Sequence, residues 1–372
     1  MTVPHNPPFR AEHVGSFLRP AELLAARDRH GKGEISDADL RTVEDSAIRD
    51  VVALQEKLGL QSITDGEYRR GTYSDNFTTS GLDGVTSERI GGGEWRYTDK
   101  SGHKTASRVP TVHGKLGWNG SENARNFEFI AGLTSRLPKL TLPGPAYLHY
   151  RGGRENISRD VYPNLDDFWS DLIDCYRQEM AALSDAGCRY LQLDETSLVK
   201  LGDPKIQNAL AGRGDDWREL LDIYTDAINE VVRAAPPGMA IGMHLCRGNN
   251  QGHWQADGGY DPIAEKLFGK LEIGFYFLEY DSDRAGTFEP LRHLPDDKVV
   301  VLGLLSTKTG ELEPTDLIRQ RIKEAAQHVD LDQLCLSPQC GFASSELGNP
   351  LSVDQQNAKI TRVIEIADEI WG

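Results

Sequence analysis

The pair His244 and Cys246 is the part of this sequence with the clearest chemical potential. It ends an apolar run, Met239–Cys246, that predicts a buried strand. Because side chains at positions i and i+2 of a strand lie on the same face, we expect the imidazole and the thiol to point in the same direction. Both groups are zinc ligands, so the pair could supply half of a tetrahedral site. A packed histidine beside a buried cysteine is the simpler alternative unless further ligands lie elsewhere.

The elements that must position these groups alternate between strand and helix along almost the whole chain. The eight predicted strands cover residues 12–16, 61–65, 140–142, 189–194, 239–246, 274–278, 298–305 and 334–337. Alternation of this kind is typical of an α/β fold with a parallel sheet and crossover helices. Eight units favour a single (β/α)8 TIM barrel over an open sheet. A dinucleotide-binding fold is disfavoured, because no Gly-x-Gly-x-x-Gly motif follows a strand.

The alternation is interrupted after the second strand, where residues 71–138 form a segment far longer than a barrel loop and helix. A glycine run at 91–93, a turn at 99–102 and alternating patterns around Val109–Val112 and Phe127–Phe129 predict a β-hairpin with some helix. We interpret residues 1–372 as one barrel domain in which 71–138 is an insertion. The insertion is either a decoration or a lid over the barrel mouth.

Composition limits the classes of partner. The 372 residues are 38% hydrophobic and 26% charged, as in an ordinary globular protein, and the net charge of −16 argues against a nucleic-acid partner. No apolar stretch suits a membrane span or a signal peptide, so we expect a cytoplasmic protein without membrane contact. The odd number of cysteines argues against a disulfide framework, and the sequence does not indicate an oligomeric state.

Polar residues at other predicted strand ends supply the missing ligands. In barrels of this kind, functional groups gather at the C-terminal ends of the strands. Glu279 ends the sixth strand and Cys340 follows the eighth, so His244, Cys246, Glu279 and Cys340 offer one nitrogen, two sulfurs and one oxygen. Zinc accepts this set in a tetrahedron and would hold a bound thiol as a nucleophilic thiolate. The alternative is two core thiols, a capped histidine and an ion-paired glutamate.

Three further carboxylates and one hydroxyl stand at strand ends: Ser16, Glu67, Asp194 and Glu195. A buried carboxylate without a partner is costly. A substrate ammonium could be that partner, and so could nearby arginines, of which the candidates are Arg19, Arg69 and Arg70. Ser16, beside Gly15, could bind a substrate carboxylate or could be an ordinary turn residue.

Four residues near strand ends are secondary candidates for the site: His13, Arg19, Glu195 and Tyr147. Tyr147 follows the third strand, where the segment from Gly144 could line the side of the site that receives an alkyl donor. A Pro-rich turn is the simpler interpretation of that segment.

Together these residues resemble the cobalamin-independent methionine synthase family, specifically its zinc-carrying C-terminal barrel. The motifs are Val14-Gly-Ser16, Asp65-Gly-Glu67, Leu193-Asp-Glu195, His244-x-Cys246, Leu278-Glu279 and Pro338-Gln-Cys-Gly341, in the order of the family. The resemblance implies a short, single-barrel zinc enzyme that transfers a methyl group, from methyltetrahydrofolate or another donor, to homocysteine. It also implies that His244, Cys246, Glu279 and Cys340 bind zinc and that Ser16, Glu67 and Asp194 hold the amino-acid part of homocysteine.

Two departures from the family pattern concern the methyl donor. Long members carry a histidine after the seventh strand to assist the folate leaving group, whereas Leu305–Thr309 contains none. The acid usual before the last zinc-binding cysteine is Gln339 here. Short relatives include epoxyalkane:coenzyme M transferases, so addition of a zinc-bound thiolate to an epoxide is one alternative. A zinc-stabilised binding barrel without catalysis and a metal-free barrel of the uroporphyrinogen decarboxylase type are others.

Overall fold

The computed structural model of the protein describes residues 7–90, 97–98, 104–105 and 107–372. Its strands are β1 (Ser62–Ile63), β2 (Leu82–Ile90), β3 (Tyr97–Thr98), β4 (Lys104–Thr105), β5 (Ser107–Trp118), β6 (Leu137–Pro138), β7 (Leu140–Pro143), β8 (Tyr190–Glu195), β9 (Ala240–Leu245), β10 (Phe275–Glu279), β11 (Val299–Leu305) and β12 (Leu334–Pro338). Its α-helices are α1 (Ala21–Gly31), α2 (Asp37–Leu58), α3 (Glu122–Ala131), α4 (Tyr147–Tyr150), α5 (Leu165–Asp185), α6 (Pro204–Gly212), α7 (Trp217–Arg233), α8 (Ala264–Lys270), α9 (Thr315–Ala325) and α10 (Val353–Trp371). Within these ranges, no helix combines the length and apolar character that a bilayer crossing needs.

The core is a sheet of six parallel strands, β7 to β12, in which each strand pairs with the next one along the chain. At one end, β6 lies directly before β7 and pairs in parallel with β1. At the other end, Ala11, which directly precedes the first predicted strand, forms a parallel bridge with Leu336 of β12. This strand order confirms the predicted α/β fold of the TIM-barrel type.

The first predicted strand is irregular beyond Ala11. The segment is fixed to the second strand by single hydrogen bonds, in which the Thr64 hydroxyl donates to the Gly15 carbonyl at 2.6 Å and the Phe17 amide donates to the Gly66 carbonyl at 3.1 Å. Gly15 and Gly66 both have positive φ, of 147° and 67°, so the backbone turns sharply at both strand ends. The turns bring Ser16 and Glu67 to the barrel mouth.

Helix α2 shows that local signals define much of the fold. Ser36 accepts a hydrogen bond from the Asp39 amide while the Asp39 carboxylate accepts one from the Ser36 amide, which completes a capping box. Gly59, with φ of 109°, ends the helix in the left-handed conformation that glycine favours. The bounds of this helix agree with the apolar stripe predicted from the sequence.

The segment 71–138 contains an antiparallel hairpin of β2 and β5, followed by α3. The predicted glycine run at 91–93 and turn at 99–102 lie outside the described residues. The alternating pattern at Phe127–Phe129 is helical, because Asn123, Asn126, Phe127 and Ile130 bury one face of α3. The end of the hairpin is anchored to α5, where the Glu179 carboxylate accepts a hydrogen bond from Trp118 Nε1 at 2.8 Å. A lid role for the segment stays a prediction.

Candidate metal centre

His244, Cys246 and Cys340 come together at the C-terminal ends of β9 and β12. One ligand atom from each lies within 4.8 Å of the other two, and all three side chains are buried. The Sγ atoms of the two cysteines are 3.8 Å apart. Three of the four ligands predicted from the strand ends therefore share one position in space.

The donor atoms of this cluster fit a zinc ion. Both ring nitrogens of His244 are buried and lack hydrogen-bond partners among the described residues. Two sulfurs bound to one zinc ion at about 2.3 Å in a tetrahedron would be separated by about 3.8 Å. The observed Sγ to Sγ distance has that value. One nitrogen and two sulfurs also match the ligand preference of zinc.

The two thiols have unlike acidity. The hydrogen bond between the sulfurs raises the pKa of Cys246, and burial raises it further. The same hydrogen bond lowers the pKa of Cys340, since it stabilises the Cys340 thiolate, and the nearby Lys308 ammonium adds to the effect.

Glu279, the fourth predicted ligand, contacts three cationic residues. Its Oε1 accepts hydrogen bonds from Arg284 and from Lys308 Nζ at 3.2 Å, and its Oε2 accepts one from the Arg247 amide at 2.8 Å. Burial favours a raised pKa for Glu279, but the charges of Lys308, Arg284 and Arg247 outweigh it and hold the pKa below its ordinary value. Glu279 does not belong to the cluster of described ligand atoms within 4.8 Å. Its role as a zinc ligand stays a prediction.

A small pocket lies beside the cluster. Ser16, Glu67 and Asp194, the three substrate residues predicted from the sequence, line it together with His244, Cys246 and Cys340. The cavity volume is about 40 Å³, the space of a few water molecules.

Asp194 is a buried carboxylate of the pocket lining. It pairs with His244 across the ladder of β8 and β9, so both side chains lie on the interior face. Gln192 Nε2 donates to Asp194 Oδ1 at 2.7 Å. Burial raises the pKa of Asp194 to about 6, and the Glu67 carboxylate adds to the rise. A ligand ammonium would stabilise the charged form of this side chain.

Glu67 has a protein cation beside it. Its Oε1 lies 3.4 Å from Arg70 and accepts a hydrogen bond from the Thr141 hydroxyl at 3.1 Å. Its backbone has φ of 62°, which is strained for a residue other than glycine, and the Asp65 carboxylate stabilises it by accepting the Glu67 amide at 2.8 Å. Of the two partners expected for this carboxylate, a substrate ammonium group or a nearby arginine, the arginine is therefore present. Glu67 also lines the pocket.

The four secondary candidates lie around the pocket and not in its described lining. His13 is buried, and its Nε2 lies 3.1 Å from the Ser62 carbonyl oxygen. Arg19 donates to four backbone carbonyls and so ties the first two strand ends to the last loop. Glu195 accepts the amides of the following loop, and the Tyr147 hydroxyl accepts a hydrogen bond from Ser74 at 3.1 Å.

Sequence reasoning missed one charged residue of the pocket lining. Lys200 is fully buried and lines the pocket beside the thiols. The sequence signal for Lys200 was its position inside the apolar segment Leu198–Leu201. A lysine is rarely buried without a partner for its charge, so such a position indicates a functional residue.

Comparisons with known proteins agree with the resemblance seen in the motifs. The model of the family described as cobalamin-independent synthase, catalytic domain, matches residues 9–353. The uncharacterized protein YxjH of Bacillus subtilis (strain 168) is 40% identical over 366 residues, which cover 98% of this chain and 95% of that protein. The crystal structure of the putative vitamin-B12 independent methionine synthase from Listeria monocytogenes has a TM-score of 0.76 and 36% identity, with 98% of both chains covered.

The name of one longer relative contains a reaction. The 5-methyltetrahydropteroyltriglutamate--homocysteine methyltransferase of Trichodesmium erythraeum (strain IMS101) is 24% identical over 337 residues. These residues make up 90% of this chain but 41% of that protein.

Proposed function

The chain belongs to the family of cobalamin-independent synthase catalytic domains, and on that premise we propose that it is a zinc-dependent methyltransferase that converts homocysteine to methionine. The observation that carries the proposal is the cluster of His244, Cys246 and Cys340 directly beside a pocket lined by Asp194. A metal site that opens to a small polar pocket suits a substrate, whereas a structural zinc site is closed by protein ligands.

His244, Cys246 and Cys340 would hold the zinc ion, with Glu279 as the proposed fourth ligand. When bound, zinc would keep the substrate sulfur as a thiolate near neutral pH. The protein side chains would then bind and orient the substrate. The three side chains are buried, so few water molecules would surround the thiolate and weaken its nucleophilicity.

Asp194 and Glu67 would hold the ammonium group of homocysteine, and Ser16 would contact its carboxylate. Asp194 is fixed for this task by Gln192, and Ser16 by the hydrogen bond that its hydroxyl accepts from the Ala343 amide at 3.2 Å. Two carboxylates in one small pocket favour a thiol that carries an ammonium group, which homocysteine has and coenzyme M lacks. This charge pattern supports homocysteine over coenzyme M as the acceptor.

The methyl donor proposed here is a methyltetrahydrofolate, the kind of donor that the name of the longer relative contains. Alternative donors are kept in the experiment, since Gln339 stands where the family has an acid and the segment 305–309 lacks a histidine. A cytoplasmic location, expected from the sequence, belongs to the same proposal.

A turnover screen of the zinc-loaded protein tests the function. Homocysteine and coenzyme M are offered as acceptors, each with methyltetrahydrofolate mono- and polyglutamates, methylcobalamin and epoxypropane. We expect methionine to form from homocysteine with at least one methyl donor. Alkylation of coenzyme M by epoxypropane alone, or a purified protein that neither contains nor binds zinc, would overturn the proposal.

A further inference from the structure

Lys200 places a buried amino group in the lining of the pocket beside the thiols. The residue lies in a 3-10 helix, Leu198–Gly202, that follows β8, and its side chain is 0% exposed. Its Nζ donates to Gln255 Oε1 at 2.7 Å and lies 5.7 Å from the ring of Tyr150. No ion pair of the described residues includes Lys200, and the carboxylates of Glu195 and Glu279 act on its amino group only from a longer distance.

A buried ammonium group without a counter-ion costs free energy. Burial and the neighbouring Arg151 lower the pKa of Lys200 to about 7, although the more distant Cys246, Glu195 and Glu279 offset part of the decrease. An amide oxygen and an aromatic ring solvate the charge only in part. An anionic ligand in the pocket would supply the missing counter-ion.

The loop that carries Lys200 is held in place from the end of β8. Glu195 Oε1 accepts the amide of Ser197 at 2.6 Å and that of Leu198 at 3.3 Å, which fixes the start of the 3-10 helix. Asp194 and Lys200 therefore reach the same pocket from one strand and its following loop. The lining thus holds the amino group of Lys200 together with the carboxylates of Asp194 and Glu67, and all three side chains are buried.

We propose that Lys200 binds the α-carboxylate of the thiol substrate while Asp194 binds its ammonium group, so that the pocket recognises the zwitterionic end of an α-amino acid. The inference rests on the proposed function and adds the residue that selects for the carboxylate. An amino-acid zwitterion would give both buried side chains a partner of opposite charge, whereas a simple amine or acid would satisfy only one of them.

Substrate dissection tests this proposal. The thiols are homocysteine, 3-aminopropanethiol, which lacks the carboxylate, and 4-mercaptobutanoate, which lacks the ammonium group. We expect Lys200→Met to raise the KM for homocysteine by ~10- to 100-fold, the range of a charged hydrogen bond. The KM for 3-aminopropanethiol should stay within about twofold of its value in the unmodified protein. Asp194→Asn should instead remove the preference for homocysteine over 4-mercaptobutanoate.

Two variants serve as controls. Lys205→Met makes the same change at an exposed lysine of the next helix, α6, and should alter neither KM. Lys200→Arg keeps the positive charge and should keep the preference for homocysteine, which tests the proposal even where Lys200→Met folds poorly. Zinc content and circular dichroism are measured for every variant.

Equal losses with homocysteine and 3-aminopropanethiol, or loss of zinc from Lys200→Met, would mean that Lys200 acts on the thiol cluster and would overturn the inference. An unchanged KM would overturn it too. Calorimetric binding of the three thiols to the zinc-loaded protein separates this inference from the proposed function. If homocysteine binds but no methyl group is transferred, the proposed function fails, and the binding series still decides the role of Lys200. If homocysteine does not bind, both fail.

Discussion

The Sγ atoms of Cys246 and Cys340 lie 3.8 Å apart although the two cysteines are 94 positions apart in the chain. Their strands are not neighbours, because β10 and β11 lie between β9 and β12 in the sheet. In a flat sheet, three strand spacings would separate the two strand ends by about 14 Å. The contact between the sulfurs therefore depends on the curvature of the sheet, which turns the strand ends towards one axis.

Replacement of either thiol should abolish tight zinc binding without unfolding the barrel. Cys340→Ser removes a soft ligand from a three-residue cluster, so we expect zinc affinity to fall by more than the ~10- to 100-fold typical of changes outside the ligand set. The measurement is competition with a chromogenic chelator, with circular dichroism to confirm the fold. Cys175→Ser is the matched control, since Cys175 is buried on α5 away from the cluster. Zinc affinity of Cys340→Ser equal to that of the unmodified protein would show that the ligand assignment is wrong.

Glu279→Gln should destabilise the metal-free protein. The change leaves Arg247, Arg284 and Lys308 beside a neutral amide in a buried site, and breaking such a cluster costs roughly 3–5 kcal/mol. Urea unfolding of the metal-free protein measures the loss.

The double variant Glu279→Gln with Lys308→Met is the control for this charge argument. It removes one of the unpaired cations, so it should recover part of the lost stability. If Glu279 served only as a metal ligand, the stability of the metal-free protein would not change. The affinity for zinc, measured on the same variants, tests the predicted ligand role separately.

The meeting of the three proposed metal ligands at one place could be predicted because strand ends are encoded locally. The apolar run before His244 and Cys246 defines β9, and a similar run before Cys340 defines β12. Once the parallel order of the strands is inferred, the ligands must meet at one end of the sheet. The same argument brought Ser16, Glu67 and Asp194 to a common pocket.

Pairings between loops could not be predicted in the same way. Arg247, Arg284 and Lys308 follow three different strands, and nothing local indicates that all three contact Glu279. The short apolar pattern at Phe127–Phe129 is compatible with the period of a strand and with that of a helix. The segment is helical because one face of α3 is buried against the rest of the protein. Tertiary contacts override local patterns at such positions.

Gly341→Ala should weaken binding of the thiol substrate. A Cβ atom at Gly341 would lie 2.0 Å from the Ser16 hydroxyl oxygen, so that side chain must leave its hydrogen bond with the Ala343 amide. We expect a several-fold rise in the KM for homocysteine and a loss of about 1–3 kcal/mol in stability. Steady-state kinetics and urea unfolding measure the two effects.

Two comparisons test whether the clash with Ser16 causes these effects. Gly269→Ala in α8 introduces the same methyl group where no atom lies within 4 Å, so it should be neutral or slightly stabilising. Adding Ser16→Gly to Gly341→Ala removes the clash and should restore stability but not the KM. A double variant as unstable as Gly341→Ala would contradict the explanation.

His149 should make the protein sensitive to acid. Its Nδ1 lies 2.9 Å from the Tyr224 hydroxyl, and burial lowers its pKa from the ordinary value of 6.5 to about 4. Between these two pH values the unfolded chain binds a proton that the native His149 does not bind, so stability falls as the pH is lowered through this window. The difference between the two pKa values corresponds to about 3 kcal/mol at its full extent.

The variant His149→Gln keeps a polar side chain beside Tyr224 but cannot titrate. Near pH 7 it should be less stable than the unmodified protein, because the fit against Trp169 and Tyr224 is lost. Near pH 4 that deficit should shrink by up to about 3 kcal/mol, because only the unmodified protein is destabilised by acid. Urea unfolding of the metal-free proteins across this range gives both curves, and His113→Gln, at an exposed position, is the control. Parallel curves for His149→Gln and the unmodified protein would mean that the acid sensitivity arises elsewhere.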